Sequence, residues 1–262
     1  MKFVPTNGVN LACDDEGSGA PAFVFVHGLA CDRSFWKPQF DDLKRDHRCV
    51  AVDLRGRGDS PVTLPCDPET AATDVVGVIE ALNLGPSIIV GHSLGGVVAL
   101  LLNHARPDLV QGIVTGDTPM SAELGINMGR IATAVRAEDS TRPIERLVES
   151  FFVESTSSVI RDQVRQVMLG CPAEVLAGML DGCGHLPAIA TELVKAADRK
   201  PFMAIWAERP LGDPAWLRDV AMFLRQEPIA GTGHFFQLEE PAITIALLRA
   251  FVDDVNRDPR AS

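Results

Sequence analysis

The segment Gly91-His92-Ser93-Leu94-Gly95 is where chemistry is most concentrated in this chain. Ile88, Ile89 and Val90 before it read as a buried strand, and Val97 through Leu102 after it read as a helix. A serine on so tight a strand-to-helix turn is pushed outward, and flanking glycines let the backbones pass closely. The helix beginning beside it aims its first amides and positive dipole end at any negative charge that develops there. Those are the needs of a nucleophilic hydroxyl, so Ser93 is the candidate nucleophile; the plainer reading is a glycine-rich turn with a chance serine. A serine hydroxyl is weak until a base stands within hydrogen-bond reach. Of the six histidines, His234 is the best base, on a Gly231-Thr-Gly-His loop that projects an imidazole over a sheet edge. His27 reads as an organiser of its own turn, and His92 as pointing away along the turn beside the serine. His47 and His104 read as helix-end surface residues, and His185 as too remote for more than substrate contact.

These side chains need a scaffold, and the hydrophobic pattern supplies one. Lys2-Phe-Val and Val9-Asn-Leu-Ala-Cys flank Asn7-Gly8, the signature of a two-residue hairpin. Continuous apolar runs at Ala22–Val26, Cys49–Asp53, Ile88–Val90, Val110–Gly116 and Pro201–Trp206 mark strands covered on both faces. Helical spacing separates them, over Ser34–Lys44, over Pro68–Leu82 and after Ser93, and resumes over Pro214–Leu224 and Pro241–Val255, where Ile243, Leu247, Leu248 and Phe251 form the core side. A last short strand is expected near Glu227–Ala230. Alternating strands and helices imply a parallel sheet with its site at the carboxyl ends of the strands. His27, Gly28, Asp53, Ser93 and Asp117 all fall at such ends. From Pro119 to Asp198 strand-like runs vanish and helical periodicity takes over, too long a stretch for a structureless loop. The expected organisation is therefore an α/β core from residues 1–118 and 199–262, with residues 119–198 inserted as a helical cap.

Composition narrows the function classes. A net charge of −11 across 262 residues argues against nucleic acid and anionic membrane surfaces, which select basic patches. No apolar run suffices to span a bilayer, and the first residues lack a signal-peptide pattern. The six cysteines are scattered, without CxxC or zinc spacing, so free thiols in a reducing cytoplasm are expected. No histidine cluster has metal spacing, and no metal or cofactor is expected. Tyrosine is absent, which removes any phenolic acid or donor.

Four segments, His27-Gly28, Asp53-Leu-Arg-Gly-Arg-Gly-Asp-Ser60, Gly91-His-Ser-Leu-Gly-Gly96 and Gly231-Thr-Gly-His-Phe-Phe-Gln-Leu-Glu-Glu-Pro241, stand in the order and at the distances that resemble the α/β-hydrolase family. The resemblance covers nearly the whole chain except the cap. It implies a mostly parallel eight-stranded sheet flanked by helices, with a cap over the site, and the chain order serine, acid, histidine. It also implies oxyanion donors at the amides of Leu29 and Leu94, since an acyl intermediate needs two preorganised donors. The triad acid departs from the family's commonest pattern. After Pro201–Trp206 the turn reads Ala207-Glu-Arg-Pro210, with proline where an aspartate usually stands. Asp117, at the end of the preceding strand, is the preferred acid, with Asp213 and then Glu208 as alternatives; Asp117 could instead be a turn or cap-anchoring residue.

Ser93 in place of an aspartate disfavours the dehalogenase and epoxide hydrolase branches. The expected reaction is hydrolysis of an ester, lactone or thioester of a small, largely apolar substrate through an acyl-enzyme on Ser93. Trp36, Met120, Trp206 and Phe235 are the expected pocket residues. Met128, Phe151, Phe152, Met168, Leu169 and Met179 are further apolar candidates in the cap, and Arg33 and Arg130 weak carboxylate partners. Two rivals stay open: a cofactor-independent oxygenase or lyase using His234 with Asp117 as base, and a slow-turnover ligand receptor. A homo-oligomer also stays open.

Overall fold

Runs such as Phe23-Val-Phe-Val26 and Ile88-Ile-Val90 have no polar face to offer water, so each must become a strand buried on both sides. In the computed structural model, which describes residues 1–121, 128–137 and 141–261, they form the centre of an eight-stranded sheet. Its strands are β1 (Lys2–Thr6), β2 (Val9–Glu16), β3 (Ala22–Val26), β4 (Cys49–Val52), β5 (Ser87–His92), β6 (Val110–Gly116), β7 (Phe202–Trp206) and β8 (Arg225–Pro228). The spatial order is β1-β2-β4-β3-β5-β6-β7-β8. β1 pairs antiparallel with β2, and β2 with β4. Every other pairing is parallel. The α/β-hydrolase fold is what this sheet and its flanking helices form.

Helices α1 (Lys37–Leu43), α2 (Pro68–Ala81) and α3 (Leu94–Ala105) connect the strands in the first half. Between β6 and β7 lie α4 (Met128–Arg136), α5 (Thr141–Ser150), α6 (Ser158–Leu169), α7 (Ala173–Gly182) and α8 (Leu186–Ala197). α4 packs on α7 and α5 on α6, whereas α8 packs against α3. α9 (Pro214–Val220), α10 (Phe236–Glu239) and α11 (Pro241–Arg257) complete the chain. Two apolar layers sandwich the sheet. One gathers Val24, Val26, Ile89 and Ile113 with α2, α3 and the helices after β6. The other gathers Phe23, Phe25, Val90 and Ile205 with α1 and α11.

Several boundaries differ from the sequence expectation, each for a local reason. The helix expected from Ser34 begins as a 3-10 turn over Arg33–Trp36, capped by Asp32, and becomes α-helical at Lys37 with a proline in its first turn. α9 stops at Val220 rather than Leu224, because the Asp198 carboxylate takes the amides of Met222 and Phe223. β8 consequently begins at Arg225 and pairs Glu227 with Ile205. It is an edge strand of half-exposed residues, so it lacks the apolar run that marks the others. On α11, Leu248, Phe251 and Val255 are buried, but Ile243 is 46% exposed and faces away from the core.

Candidate active site

At the carboxyl end of β5 the chain reverses into α3 with no intervening loop, so one residue must take the whole turn. That residue is Ser93, at φ +53° and ψ −119°. A non-glycine backbone held there costs about 1–3 kcal/mol and persists only where its surroundings enforce it. They do so here. The Ser93 amide donates to the Gly116 carbonyl of β6 at 2.6 Å. A β-carbon on Gly91 would lie 2.1 Å from the Gly95 carbonyl oxygen, and one on Gly95 would lie 2.3 Å from that of Val26. Strand and helix therefore meet at backbone contact, and only glycine fits at both positions. The Leu94 and Gly95 amides that open α3 have no intrahelical acceptor, whereas the Gly96 amide turns back to the Ser93 carbonyl at 3.0 Å.

The turn after β3 presses on the same point. A β-carbon on Gly28 would lie 3.2 Å from Ser93 Cβ and 2.9 Å from His92 Nδ1. This places the Gly28–Leu29 peptide against the Ser93 turn, and Leu29, Ser93 and Leu94 line one cavity. His27 holds the turn from behind. Its Nε2 accepts from the Leu54 amide at 3.0 Å, so its Nδ1 carries the proton and donates to the Gly28 carbonyl at 2.8 Å. Burial pushes the His27 imidazole down to about 4.

Asp117 begins where β6 ends, at φ +39°. Its amide donates to the Ile205 carbonyl at 2.7 Å, which fixes it to β7. The side chain is wholly buried. Oδ2 accepts from His234 Nδ1 at 2.6 Å and Oδ1 from the Leu211 amide at 3.1 Å. A carboxylate can only accept, so Nδ1 is the protonated nitrogen of His234 and Nε2 keeps its lone pair. Asp213 and Glu208 are occupied elsewhere. Asp213 caps α9, accepting from the Ala215 and Trp216 amides at 2.9 Å. Glu208 accepts from the Gly231 amide at 2.8 Å and so braces the loop that carries His234.

That loop is pinned on every side. The His234 amide donates to the Phe151 carbonyl at 2.9 Å, and the Phe151 ring stacks on the His234 imidazole with centroids 4.4 Å apart. Glu239 accepts from the Gly233 amide at 3.0 Å. The His234 carbonyl accepts from His92 Nε2 at 2.9 Å. His92 thus turns toward His234, not away along the turn as its place beside the serine suggested. Its ring lies 4.5 Å from the His234 ring, fully buried between Trp36, Phe235 and Phe236. Burial, and the neighbouring His234, push its imidazole well below its ordinary range. With Nε2 as donor, Nδ1 is a bare lone pair, and no partner among the described residues meets it.

Ser93, His92 and His234 open into a cavity of about 180 Å³. Its walls come from the core (Leu29, Val97, Phe235) and from the helices after β6 (Leu147, Met168, Met179). Phe151 also lines it, as expected, and no Lys, Arg, Asp or Glu stands among the described lining residues. Phe235 is the one of the four expected pocket residues that reaches it. Trp36 is buried in the layer behind His92, with its indole N–H on the Val26 carbonyl. Trp206 donates to Gln226 on the far edge, and Met120 is buried with its carbonyl on the Asp213 amide. Phe152 lies beneath the guanidinium groups of Arg161 and Arg165, and Leu169 is exposed. Arg33 is tied to Asp14, Asp53 and Asp59 and lies outside the cavity. The side chains of Met128 and Arg130 lie outside the described residues. All six cysteines are free and buried.

This sheet, with its tight serine turn, defines a class, and comparison with known proteins agrees. Residues 23–247 match the model of the alpha/beta hydrolase family. The chain belongs to that family. It is 31% identical over 170 residues to the sn-1-specific diacylglycerol lipase ABHD11 of Mus musculus, a match covering 62% of this chain and 54% of the lipase. The chain therefore matches about half the length of that curated relative. It is 29% identical to a soluble epoxide hydrolase from a Corynebacterium strain, over 91% of this chain and 92% of that one. Among solved structures, a thermophilic esterase from Thermogutta terrifontis superimposes with a TM-score of 0.84 at 27% identity, covering 97% of both chains.

Proposed function

We propose that the protein is a serine hydrolase that cleaves an ester, lactone or thioester bond of a small, uncharged substrate through an acyl-enzyme on Ser93. The observation that carries the reading is the His234–Asp117 hydrogen bond at 2.6 Å, which leaves the Nε2 lone pair of a histidine free beside the cavity that Ser93 also lines. In this mechanism Ser93 Oγ attacks the carbonyl carbon while His234 Nε2 takes its proton. Negative charge on the former carbonyl oxygen is met by the amides of Leu29 and Leu94. Collapse of the tetrahedral adduct expels the leaving group, which takes the proton from His234. A water then attacks the acyl-enzyme with His234 again as base, releasing the acid and restoring Ser93. Asp117 holds the tautomer and stabilises the imidazolium at both stages.

The helices between β6 and β7 act as a cap in this reading: Phe151, Met168 and Met179 roof the cavity and exclude water. The names of the relatives, a lipase and an esterase, are consistent with acyl chemistry. The aspartate that epoxide-opening relatives use as nucleophile is a serine here. Hydrolysis of p-nitrophenyl esters of graded chain length, alongside simple lactones, tests the function. Turnover that depends on Ser93 and peaks at short acyl chains is expected; full turnover by Ser93→Ala would discard the acyl-enzyme.

A further inference from the structure

The loop Leu54–Ser60 stands beside the cavity as a rigid block. Asp53 accepts from the Asp59 amide at 2.9 Å, Ser60 Oγ donates to the Asp53 carbonyl at 2.7 Å, and the Ser60 amide donates to the Arg57 carbonyl at 2.9 Å. Gly58, at φ +51°, leaves no room for a side chain: a β-carbon there would lie 2.0 Å from the Asp53 carboxylate. Two arginines near this block are neutralised in the ordinary way, Arg33 by Asp14, Asp53 and Asp59, and Arg55 by Asp74.

Arg57 differs. It is 6% exposed, and among the described residues no carboxylate pairs with it. Its donors go to three main-chain carbonyls: Nε to Cys31 at 2.9 Å, and Nη2 to Ala30 at 2.6 Å and Val167 at 2.9 Å. Two of those carbonyls belong to the two residues after Leu29. The third lies on α6, next to Met168 of the cavity roof. Ala30 is itself held at φ +59°, a left-handed conformation that a side chain ordinarily avoids. Among the described residues the one further partner of Arg57 is the neutral Cys171 thiol, and a buried cation held by carbonyls and a thiol, with no carboxylate, is an expensive device for mere packing. Placed here, it fixes the curvature of the peptide that carries the Leu29 amide and ties it to the helix that covers the substrate.

We propose that Arg57 is a positioning residue that latches the oxyanion loop at Ala30–Cys31 to helix α6, so that the Leu29 amide is held for the transition state only when the roof is seated. The inference rests on the reading of Leu29 as an oxyanion donor. A single donor of this kind is worth about 100- to 1000-fold in kcat, and a misplacement of about 1 Å costs about 100-fold. Loss of the latch is therefore expected to cost about 10- to 100-fold in kcat, with little change in ground-state binding.

The test compares wild type, Arg57→Met and Arg57→Lys in p-nitrophenyl butyrate hydrolysis, and in inhibition by two matched alkyl ketones. The trifluoromethyl ketone adds a serine hydroxyl to give an oxyanion, whereas the methyl ketone binds as a neutral carbonyl. Expected for Arg57→Met is a fall in kcat of about 10- to 100-fold with KM within about threefold. Its Ki for the trifluoromethyl ketone should rise in proportion, with that for the methyl ketone nearly unchanged. Arg57→Lys, which keeps the charge in a well-tolerated volume but lacks the fork, should recover only part of the loss. Unchanged kcat in Arg57→Met, equal loss toward both ketones, or full recovery with lysine overturns the proposal. A wild-type enzyme that shows no preference for the trifluoromethyl ketone overturns the Leu29 reading itself, and the latch with it.

Discussion

His234 Nδ1 lies 2.6 Å from Asp117 Oδ2 and joins the loop after β8 to the tip of β6. In the proposed triad the acid stands one strand earlier than the turn after β7, where Pro210 occupies the family's more usual acid position. If Asp117 holds the productive tautomer, Asp117→Asn should lower kcat by about 1000- to 10,000-fold, since the amide leaves the histidine free to protonate at the wrong nitrogen. Asp213→Ala should instead leave kcat within a few-fold and cost about 1 kcal/mol of stability through loss of the α9 cap. Steady-state kinetics and urea titration of both variants check this. A kcat loss that followed Asp213 would reverse the assignment.

His92 offers a second check on how the base is held. Replacing it with leucine leaves the buried His234 carbonyl without its donor, a loss of about 1–3 kcal/mol. It should also lower kcat by about tenfold or more through a wandering imidazole. His92→Gln, whose side-chain amide can donate to the same carbonyl, should recover part of both. Steady-state kinetics and urea titration compare the two variants, and a leucine variant as stable and as active as the glutamine one would show that His92 serves only to fill space.

Stability should fall on mild acidification, because two buried histidines resist protonation in the fold. His27 titrates at about 4, and His92 well below its ordinary range. Both take up protons near 6.5 once unfolded. Between those limits the unfolded chain binds more protons than the folded one, so stability present above pH 6.5 is lost as pH falls toward 4. Inside that window His27 contributes up to about 1.4 kcal/mol per pH unit, and His92 adds to the loss in the same direction. Urea titrations at pH 6.5, 5.5 and 4.5 measure the slope, and His27→Asn should flatten part of it. A slope unaltered by that substitution would remove His27 as a source.

The cavity lining predicts discrimination by charge. Its described walls offer no cation, so a carboxylate on the acyl group would be desolvated without a partner. The kcat/KM for p-nitrophenyl butyrate should exceed that for the p-nitrophenyl monoester of succinate by about 100-fold or more. Comparable values for the two would mean that a cation reaches the substrate.

What could be read from the sequence was whatever repeats along the chain or recurs as a short motif. The buried strands declared themselves through uninterrupted apolar runs, and the turns of Gly28 and Ser93 through glycines that backbone contact demands. Asp117 was legible by its place at a strand end, but its competition with Asp213 was not. Only the fold shows that Asp213 is engaged by the first amides of α9. Edge strand β8, half exposed and paired on one side, had no apolar run to mark it. The pocket was the least legible part. Trp36 and Trp206 looked like pocket residues because they flank strand ends, yet each has its indole N–H satisfied away from the cavity. The direction of His92 is illegible for a related reason: adjacency to Ser93 in sequence says nothing of which way a side chain leaves a turn at φ +53°. Its bond to the His234 carbonyl spans 142 residues of chain and has no local signature.

Ser93 carries the proposed reaction, and covalent labelling reads it directly. Incubation with a fluorophosphonate, followed by intact-mass and peptide analysis, should give one adduct, on the peptide that carries Ser93. Labelling should disappear in Ser93→Ala together with ester turnover, and slow by at least about 1000-fold in Asp117→Asn. An adduct on any other residue, or a Ser93→Ala protein that hydrolyses p-nitrophenyl butyrate at the wild-type rate, would contradict it.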